Sequence, residues 1–337
     1  RQRQMCIRDR SSYIEWRFMK QTNTRAMVET AFVSAIVVML TIVGSTVPIL
    51  SLLATLVAPA GIALIGIRWG SRYSCAASAV AFVLVSLLVG PLMAMATILA
   101  YSLPSIFLGE AFRSNWSFGK LIVIPAIALT LTSLIGILVS AGLTSFDLSQ
   151  VNHMIDVDLK NAIIESVKQQ PMTQEQMNEY INRLDLAFDQ AKRMLLAYWF
   201  AANVVVTYIS AKLVSYIGRR TNSVMRTLPT MDTWRMPIWG AGTLAIGIIL
   251  AYGGQYLGYA NGILSDIGLN IALFGGMICG LNGITCLLSI MKSYNLAGIF
   301  KFAIIGFLYV MSPMALVIYG ILDMFLDMRV RFQKRSL

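Results

Sequence analysis

The feature that most constrains this chain is a series of about nine strongly apolar stretches separated by short polar connections. The first stretch, Val28 to Val47, contains no charged residue after Glu29. At about 1.5 Å per helical residue, a stretch of this length matches a hydrocarbon core of about 30 Å. Helices in soluble cores rarely run so long without a break. The pattern therefore predicts an all-α fold, a polytopic transmembrane helical bundle.

Composition supports a membrane environment. Hydrophobic residues make up 57% of the chain and charged residues 13%, against about 45–50% and about 25% in soluble domains. The net charge of +11 does not indicate a nucleic-acid partner, because the basic residues lie in loops, where the positive-inside rule requires them.

The eight further apolar stretches are Ile49 to Ile67, Tyr73 to Val89, Pro91 to Leu108, Leu121 to Leu143, Met194 to Ile217, Ile238 to Leu257, Ile267 to Met291 and Phe302 to Phe325.

Orientation follows from the Lys and Arg residues of the connections. They precede the first stretch and follow the second, fourth, sixth and eighth, whereas the connections after the first, third and seventh stretches contain none. This places the N terminus on the cytoplasmic side of a bacterial inner membrane. Nine crossings would put the basic tail outside, so we expect eight, with the last stretch re-entrant or kinked at Pro313. The alternatives are nine crossings, or an earlier stretch that does not cross.

The predicted organisation has six parts. The first, residues 1–10, resembles translated sequencing adapter and is treated as non-native. The others are a cytoplasmic segment (11–26), transmembrane helices 1–5 (27–143), an external amphipathic insert (144–193), transmembrane helices 6 onward (194–328) and a basic cytoplasmic tail (329–337).

The external insert differs from the rest of the chain in being acidic. Residues 145–193 hold eight acidic and five basic residues. Pro171 divides the insert into a predicted helical hairpin, and Thr173 with Gln176 forms a capping-box pattern for the second helix. An apolar stripe runs along this helix from Met177 to Leu195. It could pack on the first helix of the hairpin or cap an outward-facing pocket.

Polar side chains inside the apolar stretches are the candidate ligand-binding residues, because an unpaired polar group in a bilayer is costly. The alternative for each of them is a hydrogen bond between helices. The candidates are Asn282, Asn270, Asn203, Tyr101, Gln255 and Trp199.

Catalytic and metal-binding patterns are not evident. No apolar stretch carries an isolated charged residue near its centre, and no nucleophile lies near a base at membrane depth. Cys279 and Cys286 share a helix face but have no accompanying His or carboxylate at ligand spacing. The single histidine, His153, lies in a polar connection. We therefore expect a non-enzymatic protein without a cofactor or metal.

Several segments resemble the YybS-like bacterial membrane proteins, a domain family of unknown function. They are the run from Gly61 to Gly70, the Gly90-Pro91 break, the acidic insert, and the ending from Gly320 to Arg329. This resemblance implies a fold related to the substrate-binding S components of energy-coupling-factor transporters. In S components an Ala-x-x-x-Ala face of the first helix docks on a coupling subunit, and Ala31 and Ala35 have this spacing.

The sequence thus favours a membrane component that binds a small amphiphilic or lipid-like molecule for uptake or translocation. A rival interpretation is a scaffold for envelope assembly that acts through the external hairpin. A third, an autonomous transporter with an inverted repeat, has no visible repeat to support it.

Overall fold

The computed structural model describes residues 2–143, 154–168, 173–221, 225, 227–256 and 262–335, and these ranges contain helices and no strand. The predicted all-α fold is therefore confirmed for the described chain. Pro171 and His153 lie outside the described residues. The helices are α1 (Gln2–Thr46), α2 (Pro48–Trp69), α3 (Ser71–Leu88), α4 (Pro91–Ala94), α5 (Ala100–Arg113), α6 (Phe118–Leu143), α7 (Lys160–Lys168), α8 (Gln174–Arg193), α9 (Leu195–Arg220), α10 (Trp239–Tyr256), α11 (Ile263–Ser293), α12 (Gly298–Met311), α13 (Pro313–Leu326) and α14 (Met328–Arg335).

Six helical segments of the described chain are long and apolar enough to cross a membrane, and a seventh is possible if α12 and α13 form one span. Only 28% to 41% of each apolar window is buried inside the protein, so the remaining apolar surface suits contact with lipid. Helices α2 and α10 contain the apolar segments Ala54–Trp69 and Trp239–Gly253 among the residues whose side chains the structure describes. Over those residues, length and composition support six or seven spans, against the expected eight.

The last apolar stretch is broken, as predicted. Ser312 lies in an extended conformation, Pro313 begins α13, and the two helices are bent by 112° at this point. Proline disfavours helical geometry in the residue before it and is well suited to a first helical turn. The same chemistry places Pro48 and Pro91 at the starts of α2 and α4.

The chain forms two compact units, the first made of residues 1–148 and 202–228. Small residues fill much of its core, including Ala58, Ala63 and Ala81. Helices α2 and α5 approach closely at Gly109, where an added Cβ would lie 2.8 Å from the carbonyl oxygen of Ala63. Such close contacts allow dispersion forces to hold the helices together. These forces are needed in a bilayer, because lipid is as apolar as the helix surfaces and the hydrophobic effect does not drive the helices together.

The second unit comprises residues 149–201 and 229–337. Its centre is α11, which packs against α10 and α13. Gly283 of α11 and Gly320 of α13 lie backbone to backbone, with no space for a side chain at either position. This close approach brings the polar groups of α11 within hydrogen-bonding distance of the end of α13.

The predicted capping box of the insert is confirmed. The Thr173 hydroxyl accepts a hydrogen bond from the Gln176 amide, and the Gln176 side chain accepts one from the Thr173 amide. The two helices of the insert also contact each other through an ion pair between Lys160 and Asp185. None of the side chains of α8 is fully buried, so the apolar stripe is only partly covered.

Candidate functional site

A buried ion pair lies at the centre of the second unit. Nε of Arg329 donates a hydrogen bond to Oδ2 of Asp323 at 2.9 Å, and the two side chains are only 4% and 5% exposed. The Arg329 backbone amide donates to Oδ1 of the same carboxylate. A buried charge pair is tolerated only when further hydrogen bonds satisfy its remaining groups.

Asn282 supplies several of those bonds from α11. Its Nδ2 donates to Oδ2 of Asp323 and to the Gly320 carbonyl, both at 3.0 Å. Its Oδ1 accepts from Nη2 of Arg329 at 2.9 Å and from the Met236 amide at 3.1 Å. The side-chain amide of Asn282 thus donates two hydrogen bonds and accepts two, all with groups of the protein itself.

Two further acceptors hold the guanidinium of Arg329. The Thr285 hydroxyl accepts from Nη2 at 3.0 Å, and the Trp234 carbonyl accepts from Nη1. Arginine has five N–H donors in a rigid plane, which makes it the side chain best suited to such a fixed position. Arg329 therefore joins α11, α13, α14 and the segment before α10.

A left-handed turn at Asp327 makes the pairing of Asp323 with Arg329 possible. Helix α13 ends at Leu326, and Asp327 adopts φ 48° and ψ 52°. Aspartate tolerates this region better than most residues because its short side chain bonds locally. The turn starts α14 in a new direction, so Arg329 reaches back to a carboxylate six residues earlier.

Beside Arg329 is an open pocket of about 400 Å³. Its lining residues are charged or carry hydroxyl groups. They are Asp232, Thr233, Arg235, Ser289, Lys292, Ser293 and Arg329. The pocket lies at the C-terminal end of α11, beside the polar connection that follows this helix.

Two exposed ion pairs flank this pocket. Nζ of Lys292 lies 2.6 Å from Oδ2 of Asp232, and Nη1 of Arg235 lies 3.1 Å from Oδ1 of Asp327. Lys292 and Arg235 are each 61% exposed. The hydrogen bond from Lys292, followed by one from Thr230, holds the pKa of the Asp232 carboxyl below its usual value.

Asn270 takes part in structural hydrogen bonds. Its Oδ1 accepts from the Ala197 amide at 3.1 Å, and its Nδ2 donates to the carbonyls of Arg193 and Asp266. Twelve residues separate it from Asn282 along α11, a rise of about 18 Å. The two asparagines therefore cannot contact the same small ligand group.

The other predicted site residues are dispersed. In the first unit, Nδ2 of Asn203 donates to the Thr130 hydroxyl at 3.1 Å, and Tyr101 packs beside the core. Trp199 belongs to the second unit and is 36% exposed. The side chain of Gln255 lies outside the described part of the structure. None of these four lines the polar pocket as described.

Ala31 and Ala35, the predicted docking pair, are exposed on α1. A neighbouring face of this helix is buried, with Ser34 donating to the Ala77 carbonyl at 3.1 Å. The two alanines therefore lie outside the packed interior of the first unit.

The sequence analysis placed Arg329 in the basic cytoplasmic tail and did not single out Asp323 as a site residue. The structure instead buries both, with Arg329 3% exposed as a residue. One signal was available in the sequence, because an acid and a base lie six residues apart at the end of an apolar stretch. Lys292 and Arg235 were noted only as markers of orientation.

The arrangement offers binding groups of a definite kind. Among the described residues, no group of three His, Cys, Asp or Glu side chains gathers as a metal site. Cys279 and Cys286 are free and buried in α11. The pocket can hold a ligand by charge and hydrogen bonds through ammonium, guanidinium, hydroxyl and carboxylate groups.

These features define the class of the protein: an all-helical, multi-pass membrane protein with a charged, hydrogen-bonded centre in its second unit. The chain belongs to DUF2232, a family of predicted membrane proteins, whose model matches residues 35–325. Comparison with curated proteins and with solved structures finds no significant match.

Proposed function

We propose that the protein is a non-enzymatic binding component for a small amphiphilic or lipid-like molecule, serving uptake or translocation across the bacterial inner membrane. The observation that carries this proposal is the polar pocket of about 400 Å³ at one end of an apolar helix unit. Ligand sites of membrane proteins are expected where polar groups gather at the end of, or between, apolar helices.

The second unit offers both kinds of surface that an amphiphile needs. Lys292, Arg235 and the neighbouring hydroxyl groups suit a polar headgroup. The side chains of α12 suit an acyl chain, because none of them is buried and Phe302, Phe307 and Val310 are more than 60% exposed. A lipid-like ligand fits this combination better than a fully polar solute does.

The positive-inside rule supports a cytoplasmic position for the pocket, since Lys292 and Arg235 belong to basic connections. This position differs from the outward-facing pocket that the external hairpin was expected to cap. The exposed pair Ala31 and Ala35 remains available for a coupling subunit. Any coupling of transport to an energy source would come from such a subunit, because the pocket residues do not provide it.

Thermal-shift measurements on purified protein test this proposal. Vitamins, nucleobases and lipids are screened against the wild type and against a Lys292→Gln/Arg235→Gln variant. Lys120→Gln, an exposed change outside the pocket, is the control. A ligand that stabilises the wild type and Lys120→Gln but not the pocket variant supports the proposal. The absence of any ligand-dependent shift contradicts it.

A scaffold role is the second candidate, favoured by the partly covered stripe of the insert. Leu195 is 58% exposed, and Met177, Ile181 and Phe188 are only half-buried. An amphipathic helix of this kind can dock on a partner in the envelope.

Deletion of residues 148–192 separates the two functions. A scaffold loses its co-purifying partner and keeps its fold. A binding component that uses the polar pocket keeps its ligand-dependent thermal shift, because none of the pocket residues belongs to the deleted segment.

A further inference from the structure

We propose that the pocket binds an anionic headgroup of the phosphate class. Before the anion binds, Asp232 and Asp327 pair with the pocket cations Lys292 and Arg235, and the anion then replaces these two carboxylates. This inference rests on the proposed binding function and specifies the chemistry of the ligand. It assigns the carboxylates of the two exposed ion pairs a role as internal competitors.

Cationic groups dominate the pocket lining. Arg235, Lys292 and Arg329 line it together with a single acid, Asp232. Each of the three cations already has a carboxylate partner: Asp327, Asp232 and Asp323 respectively. Carboxylates of the protein, of which Asp232 lies in the lining itself, are therefore paired with the cations that an external anion would bind.

The three ion pairs differ in how readily they can exchange. Arg329 and Asp323 are almost fully buried and share hydrogen bonds with Asn282 and Thr285. Separating them would leave two charges unpaired in the interior. Arg329 is thus a fixed wall of the pocket rather than a group that changes partners.

Lys292 and Arg235 are free of this constraint. Both are 61% exposed, and water and salt screen their ion pairs, so each carboxylate contributes little to holding its partner. The Asp327 side chain is itself 67% exposed, whereas the Asp232 side chain is 19% exposed. An arriving anion can replace Asp232 and Asp327 without opening the buried network.

A phosphate group matches the remaining geometry better than a carboxylate does. Lys292 is on α11, whereas Arg235 follows the short 3₁₀ turn Met231–Thr233, so the two cations come from different walls. Phosphate presents several acceptor oxygens in different directions and can accept from both. The hydroxyls of Thr233 and Ser293, which now donate to backbone carbonyls, can rotate to add further donors.

The decisive variant is Asp232→Asn, which removes the competitor of Lys292 and keeps the size of the side chain. Phosphate affinity should rise by about threefold or more, the order expected when an exposed ion pair no longer competes. Lys292→Gln should lower it. Asp185→Asn is the matched control, because Asp185 is a half-exposed acid of the same unit, paired with Lys160 outside the pocket.

Two probes distinguish the source of the phosphate group. The first is inorganic phosphate titrated against detergent-solubilised protein, with chloride at equal ionic strength as reference. The second is incorporation into lipid discs of phosphatidylcholine with or without phosphatidylglycerol. A shift with free phosphate alone assigns a soluble phosphorylated ligand. A shift with phosphatidylglycerol, with or without free phosphate, assigns a lipid headgroup, and both outcomes support the inference when Asp232→Asn enhances them.

The inference is overturned if Asp232→Asn leaves anion affinity unchanged or weaker, or if neither probe shifts stability beyond its reference. When a pocket-dependent ligand from the broader screen survives that result, the proposed function stands and only the anionic chemistry is wrong. When the broader screen is also negative, the proposed function fails with it.

Discussion

Arg329 and Asp323 form an ion pair that joins the start of the last helix to the end of the helix before it, with a separation of 2.9 Å between Nε and Oδ2. Both side chains are buried, and Asn282 of α11 bonds to both of them. Helix α11 thus meets two consecutive later helices, α13 and α14, at one charged centre. This centre fixes one wall of the polar pocket.

Arg329→Met should destabilise the protein strongly. The substitution leaves the Asp323 carboxylate buried without its counter-charge, which costs about 3–5 kcal/mol in comparable sites. Unfolding in detergent, followed by circular dichroism, measures the loss. Arg331→Gln, an exposed change two residues away on the same helix, should have little effect. Equal losses in the two variants would contradict a special role for the buried pair.

Gly320→Ala should disrupt the packing of α13 on α11. An added Cβ would overlap the carbonyl group of Cys279, which is backbone and cannot turn aside. Overpacking of this kind costs about 1–3 kcal/mol or more. Gly306→Ala in α12 is the control, because no atom lies within 4 Å of the position its Cβ would take. The melting temperatures of the two variants should differ by several degrees, and similar values would argue against the close approach.

Asn270→Ala should loosen the junction between α8 and α9. The Ala197 amide loses its acceptor, and the Arg193 carbonyl loses its donor. Removing such a partner costs about 1–3 kcal/mol where the group left behind is buried. Hydrogen exchange of the Ala197 amide should accelerate in the variant. Unchanged exchange together with a lost ligand response would instead favour the binding role expected from the sequence.

The Lys292–Asp232 pair should give stability a measurable dependence on pH. Because the folded pKa of Asp232 is lowered, its contribution is fully present above the unfolded value of about 3.9 and is lost as pH falls through the folded value. Wild type should exceed Asp232→Asn by less than about 1 kcal/mol at pH 7, given the exposure of the pair. This difference should vanish at the acid end of the titration. A difference that stays constant with pH would contradict the pairing.

The apolar periodicity and the breakers predicted much of the fold because they act locally. Pro313 breaks the last stretch through sterics with its own neighbour, and Thr173 caps α8 through a bond three residues away. Such effects depend only on adjacent sequence. The number of full crossings is less determined, because α12 and α13 are bent by 112° at their junction and count as a span only if they are taken together.

The ligand-binding role of the predicted site residues stays a prediction. Asn282 stood out as a polar residue in an apolar stretch, but its partners Asp323 and Arg329 lie 41 and 47 residues later. Their meeting requires the backbone approach at Gly320 and the left-handed turn at Asp327. Neither could be inferred from periodicity, so Arg329 was assigned to the basic cytoplasmic tail.

An unbiased mass-spectrometric inventory of molecules that co-purify with the protein in native lipid discs tests the binding function most directly. Wild type and Lys120→Gln should carry a stoichiometric small molecule or specific lipid, which the Lys292→Gln/Arg235→Gln variant should lose. The opposite result is wild-type protein that carries only bulk lipid, in the same proportions as the pocket variant, together with a reproducible partner chain. That result would contradict the binding function and favour the scaffold.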